Sequence, residues 1–141
     1  MRLEDQVCSL ELAKRLKELG VRQESYFFYE WYSDRAWTLG ISDWERDGGH
    51  TEISAFGVAE LGEMIPKELN GYFITYIPSI DLGKSRGWVC FYRNTFCEMK
   101  MENIFATKEA DARAKMLIYL IENGLIKEED KAISKGKEGE Q

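Results

Sequence analysis

The placement of its aromatic side chains constrains this chain more than any other feature. Sixteen of its eighteen Phe, Tyr and Trp residues fall between Tyr26 and Phe96. Rings favour strands because a pleated, half-buried surface gives them neighbours across the sheet. The run from Tyr26 to Tyr32 is densest, with six aromatics in seven residues. It is too short and too ring-rich for a helix. A sheet is therefore expected in the middle of the chain, carrying more ring surface than a small core requires.

The flanks have a different period. Cys8, Leu12, Leu16 and Leu19 recur at four- and three-residue spacing, with Glu11, Lys14, Arg15 and Glu18 off that stripe. This predicts a helix over residues 4–19, ended by Gly20 in the left-handed conformation, with Val21 folded back onto Leu16. Toward the other end, Thr107 suits an N-cap, and Glu109 and Asp111 lie near the positive end of the helix dipole. Ala110, Ala114, Leu117 and Ile121 form a stripe widened by Ile118, and Gly124 stops it with Leu125 placed against Leu120. Between the flanks, strands are expected at 26–32, 37–44, 50–56, 71–77, 88–93 and 96–102. A short helix over 58–65 interrupts them and ends at Pro66. The order α-β-β-β-α-β-β-β-α gives an α+β fold, a mostly antiparallel sheet of five to six strands with three helices packed on it.

At 141 residues, one domain over 1–126 can bury a core without staples. The stretch 127–141 holds nine charged residues and no aromatic, which predicts a disordered tail. No apolar run approaches the ~20 residues that span a bilayer, and the first residues lack a signal peptide's apolar stretch. The expected location is the cytoplasm, with no membrane partner. Cys8, Cys90 and Cys97 form no CxxC pair and read as small buried hydrophobes. A net charge of −6 argues against broad nucleic-acid binding, which draws its affinity from Lys and Arg.

Catalytic patterns fail one by one. Gly83-Lys84-Ser85 resembles the end of a phosphate-binding loop, but Pro78 stands where the first glycine is needed, and Trp88 to Tyr92 reads as strand instead of helix. His50 is the only histidine, beside Gly48-Gly49 in an expected turn, with no motif around any Cys or Ser. One His and three scattered Cys lack the close ligand pairs of a zinc site. Asp34, Asp43, Glu45 and Asp47 define no acid/base pair. Glu11 to Ser25 has some flavour of helix-turn-helix, yet Gly20 follows Ala13 by seven residues, and the would-be second helix runs into Tyr26-Phe27-Phe28-Tyr29. No metal or cofactor is implied, and nothing points to an enzyme.

The rings remain. Alternation puts Tyr72, Ile74 and Tyr76 on one face of a strand and Phe73, Thr75 and Ile77 on the other; Trp88, Cys90 and Tyr92 likewise oppose Val89, Phe91 and Arg93. Arg35, Arg46, Arg86 and Arg93 lie among or beside the rings. Guanidinium groups near aromatic platforms hold nucleobases and phosphates, and also anchor protein partners. Either Tyr29, Trp31, Trp37, Trp44, Tyr76, Trp88 and Tyr92 are all core, or a few of them beside one of these arginines form a site.

Three blocks also carry a resemblance. Gln6 to Val21 (QVCSLELAKRLKELGV) with Gln23-Glu24-Ser25, Ala59 to Pro66 (AELGEMIP) and Glu109 to Gly124 (EADARAKMLIYLIENG) are similar to blocks in a family of small phage and prophage proteins of unassigned function. They cover about a third of the chain. The resemblance implies origin more than activity and supplies no catalytic residues. It implies the cytoplasm of an infected or lysogenic host and an accessory, non-catalytic binding role, including counter-defence. The expected partner is a small nucleotide-like signal to be sequestered or a host protein to be masked. The alternatives are a regulator contacting DNA through the first helix and an interaction protein that forms a homo-oligomer through an aromatic face.

Overall fold

The computed structural model describes residues 2–32, 35–41, 51–80, 86–96, 98 and 103–126. A 3-10 turn at Leu3–Asp5 leads to helix α1 (Leu10–Glu18), then strands β1 (Phe27–Tyr32), β2 (Arg35–Ile41) and β3 (Thr51–Ala55). Helix α2 (Val58–Met64) separates these from β4 (Glu68–Leu69), β5 (Tyr72–Ile80), β6 (Arg86–Arg93) and β7 (Ile104–Ala106), and helix α3 (Glu109–Glu122) follows. The fold is α+β with antiparallel pairing throughout. The strand count is corrected: among the described residues seven strands form two sheets, ordered β2-β1-β3 and β4-β5-β6-β7.

Two local features account for the difference. β4 is only two residues long and folds onto β5 across Asn70-Gly71, both at positive φ, so Leu69 pairs with Tyr72. A strand that short shows no alternation to read. Most of the strand expected over 96–102 falls outside the described residues; a short strand at Ile104–Ala106 pairs with Trp88 to Cys90. Phe96 and Glu98 instead sit in a turn in which both N–H groups donate to the Asn94 side-chain oxygen at 2.9 Å. Positions 97 and 99–102 lie outside the described residues, as do 42–50, 81–85 and 127–141.

Helix α1 starts at Leu10, six residues later than its apolar spacing predicts. The preceding residues have other backbone partners. Val7 bridges to Gly57, the Cys8 N–H donates to the Phe56 carbonyl at 2.9 Å, and the Ser9 N–H donates to Asp111 Oδ1 at 2.7 Å. Cys8 is still fully buried, so its place on the stripe reports burial without helix. Both helix ends close as their glycines imply. Gly20 and Gly124 have φ of +89° and +66°, and the Val21 and Leu125 N–H groups reach back to the carbonyls of Leu16 and Leu120.

Helix α3 is the hub. It packs on β6 and β7 and also touches α1 and α2. Its buried residues, Ala110, Ala112, Ala114, Met116, Leu117, Ile118 and Leu120, surround most of its circumference. A run of alanines lets the neighbouring backbones come close. Leu16, Phe56, Leu61, Ile65, Cys90 and Tyr92 complete a continuous core that joins the two sheets.

Candidate functional site

Exposure sorts the rings that the sequence offered. Tyr92 is fully buried, and its hydroxyl donates to the Pro66 carbonyl at 2.6 Å, so it belongs to the core. Tyr29 is half-buried and donates to the Cys8 carbonyl at 2.7 Å, tying β1 to the segment before α1. Tyr76 is half-buried under Arg113, whose guanidinium carbon lies 3.7 Å from the ring centroid. Burial pushes the Tyr76 phenol up to about 12 and raises those of Tyr29 and Tyr92 as well. Trp88 and Trp37 are half-buried, and Trp31 is 42% exposed. Arg93 is exposed near the end of β6, opposite Phe73. Arg35 and Arg86 contribute backbone to β2 and β6, but their side chains lie outside the description. Trp44, Arg46, His50, the carboxylates Asp34, Asp43, Glu45 and Asp47, and Gly83-Lys84-Ser85 fall outside the described residues.

Two of the nominated rings meet. Trp31 and Trp37 sit on neighbouring strands next to the point where the β1–β2 register slips, between Glu30 and Tyr32. Their ring centroids are 5.6 Å apart with planes tilted by 49°, a favourable aromatic geometry. The Lys14 ammonium of α1 lies 5.2 Å from the Trp37 centroid. Among the described residues Lys14 makes no ion pair, whereas its neighbour Arg15 is held by Glu18 and Glu122. Lys17 anchors the same helix by donating to the Glu52 carbonyl of β3 at 2.9 Å. The result is an indole surface partly open to solvent with the Lys14 ammonium at its margin. Such a surface can stack a flat ring and attract an anion attached to it.

Among the described residues one arginine lies on a ring, Arg113, which was not among those nominated. Arg113 covers Tyr76 and binds Glu109 through Nε at 3.0 Å and Nη2 at 2.5 Å. Its sequence signal was the Glu109–Arg113 spacing of four, which marks a helix-surface ion pair. It gave no hint that a strand ring would lie beneath. The Arg113 guanidinium is thus satisfied inside the protein.

A second concavity lies toward the other end of β1. An open groove of about 860 Å³ is bounded by Tyr26 and Phe27, by Val58 and Glu60 at the start of α2, by Trp88, and by Lys108 and Glu109 at the start of α3. Tyr26 is 77% exposed although it is a large ring. Glu60 fixes this corner: Oε1 accepts the Gly57 N–H at 2.8 Å and Oε2 the Tyr26 N–H at 3.0 Å. Asp5 lines the far side. The Lys108 ammonium donates to the Glu4 carbonyl at 2.6 Å. Periodicity could not find this groove, because it is made by element ends and not by faces.

Other chemistry has little foothold. Cys8 and Cys90 are buried free thiols, each raised from 9.0 to about 12 chiefly by burial, so they are poor nucleophiles. Among the described residues no cluster of His, Cys, Asp and Glu is arranged to hold a metal. No helix there is long and apolar enough to cross a membrane. After α1 the chain enters β1 at Phe27, without a second helix. No protein-family model, curated protein or solved structure matches the chain.

Proposed function

We propose that this protein is a non-catalytic binding protein that holds a nucleotide-like ligand on Trp31 and Trp37, with Lys14 beside its phosphate. The observation that carries this reading is the Trp31–Trp37 pair: two adjacent indoles, one 42% exposed, with an ammonium group 5.2 Å from the other. A buried ring needs no such partner, and stacking on an exposed indole contributes about 1–3 kcal/mol per base. The resemblance to small phage and prophage proteins supplies the setting. In a host cell such a protein would withhold a nucleotide signal from the machinery that reads it, a counter-defence role.

Ligand carried through purification, released by denaturation and weighed by mass spectrometry, tests the reading together with thermal shifts against a nucleotide panel. A nucleotide-like mass, or a shift with one panel member that Trp31→Ala abolishes, supports it. Neither a retained ligand nor any shift would sink it.

A further inference from the structure

We infer that the groove at the other end of β1 is a docking site for a basic peptide segment of a partner protein, with an arginine or lysine side chain held between Tyr26 and Trp88. The site is independent of the tryptophan pair. Phe27 and Trp31 are four residues apart on β1, which separates the two surfaces by about 13 Å along the strand.

Three observations set the chemistry of the occupant. First, the volume of about 860 Å³ falls within the range of sites that enclose a ligand of several side chains. Second, the charged groups lining it are Asp5, Glu60, Glu109 and Lys108, three carboxylates to one ammonium. Lys108 is drawn to the Glu4 carbonyl, Arg113 engages only Oε2 of Glu109, and Asp5 meets the exposed Arg2 side chain only through Oδ2, at 3.6 Å. Glu60 is held by two backbone N–H groups, so its carboxylate is fixed in place before anything binds. A carboxylate oxygen accepts more than one hydrogen bond, so each of these groups can still receive an incoming N–H. Third, rings line the walls, and Tyr26 stands 77% exposed at the rim. Rings plus carboxylates bind cations: the ring faces attract the charge while the carboxylates neutralise it.

Occupancy by a protein segment also fits the shape. The groove is open and framed by the start of α2, the start of α3 and the turn before α1, so an extended chain can lie across it. A side chain of the right charge would then reach toward Trp88.

The test uses the full chain labelled with ¹⁵N and three capped tripeptides, Leu-Arg-Leu, Leu-citrulline-Leu and Leu-Glu-Leu. Citrulline keeps the shape of arginine and removes its charge. The inference expects saturable shifts of the Tyr26, Glu60 and Lys108 amides and the Trp88 indole with the arginine peptide. It expects binding about tenfold weaker with citrulline, the scale of a lost cation contact, and none with glutamate. Tyr26→Ala and Asp5→Lys, both changes of exposed side chains, each weaken the arginine peptide, while Trp31→Ala leaves it unchanged. Equal shifts with all three peptides, shifts elsewhere on the protein, or no shifts at millimolar peptide would each overturn the inference. Failure here leaves the nucleotide reading standing, because that reading is tested through Trp31.

Discussion

The guanidinium carbon of Arg113 lies 3.7 Å from the centroid of the Tyr76 ring. It joins α3 to β5, and the Glu109 carboxylate holds it there through two of its nitrogens. Both charged side chains are mostly buried, at 15% and 24% exposure. Removing Arg113 therefore strands a carboxylate and uncovers a ring. Arg113→Ala should cost about 2–3 kcal/mol, with Arg113→Lys recovering less than half, because an ammonium cannot stack flat while binding through two nitrogens. Urea denaturation of the two variants checks this. Equal midpoints for Ala and wild type would show that the stack contributes nothing.

The rings should divide sharply in their effect on stability. Tyr92→Phe deletes a buried hydrogen bond and leaves the Pro66 carbonyl without its donor, a loss of about 1–2 kcal/mol. Trp31→Ala removes a partly exposed ring that packs on Trp37, and should stay within about 1 kcal/mol of wild type. Denaturant midpoints for the pair measure which rings hold the fold and which are spare.

Alkaline pH should unfold the protein. Burial raises Cys8 and Cys90 from 9.0 to about 12 and Tyr76 from 10.0 to about 12, and it raises Tyr29 and Tyr92 as well. The folded state prefers each of these groups protonated. Their contribution is complete below about pH 9 and is lost as the unfolded chain ionises and pH climbs through 12. Midpoints measured from neutral into alkaline buffers should be flat and then fall steeply. A flat profile up to pH 12 would contradict the burial of these five groups.

The two glycine stops should matter equally. Gly20→Ala and Gly124→Ala each force a Cβ into the left-handed region and should cost about 1 kcal/mol, visible as a lower melting temperature. No loss in either would mean that the helix end re-forms differently.

Local signals were legible in this sequence where one segment settles its own structure. The stops at Gly20 and Gly124, the strand of rings at Phe27–Tyr32 and the two-faced alternation of β5 and β6 all follow from neighbouring residues. Phe73 and Ile77 are exposed on one face while Tyr92 and Cys90 are buried on the other, as alternation requires. Splitting the strands into two sheets was not legible, because it depends on contacts between elements far apart in the chain, α1 on β3 and α1 on α3, which itself packs on β6 and β7. Ala112 and Met116 lie off the predicted stripe and are buried only because α3 has neighbours nearly all round. Asn70-Gly71 is a strong hairpin signal that marks β4, though a two-residue strand has no pattern beyond it. For the site, composition pointed to rings beside arginines. Among the described residues the cation that faces Trp37 is a lysine from α1, brought there by tertiary packing; the side chains of Arg35, Arg46 and Arg86 lie outside them.

The most direct measurement is a titration of the wild type and Trp31→Ala with nucleotides and their parent nucleosides, followed through the indole N–H resonances. The account predicts saturable shifts at Trp31 and Trp37 for one nucleotide class and binding at least about tenfold weaker in Trp31→Ala, the loss of one stacked base. It also predicts that Lys14→Glu weakens the phosphorylated ligand more than the nucleoside. Indole resonances unmoved by any nucleotide at millimolar concentration, or equal binding by Trp31→Ala, would contradict it.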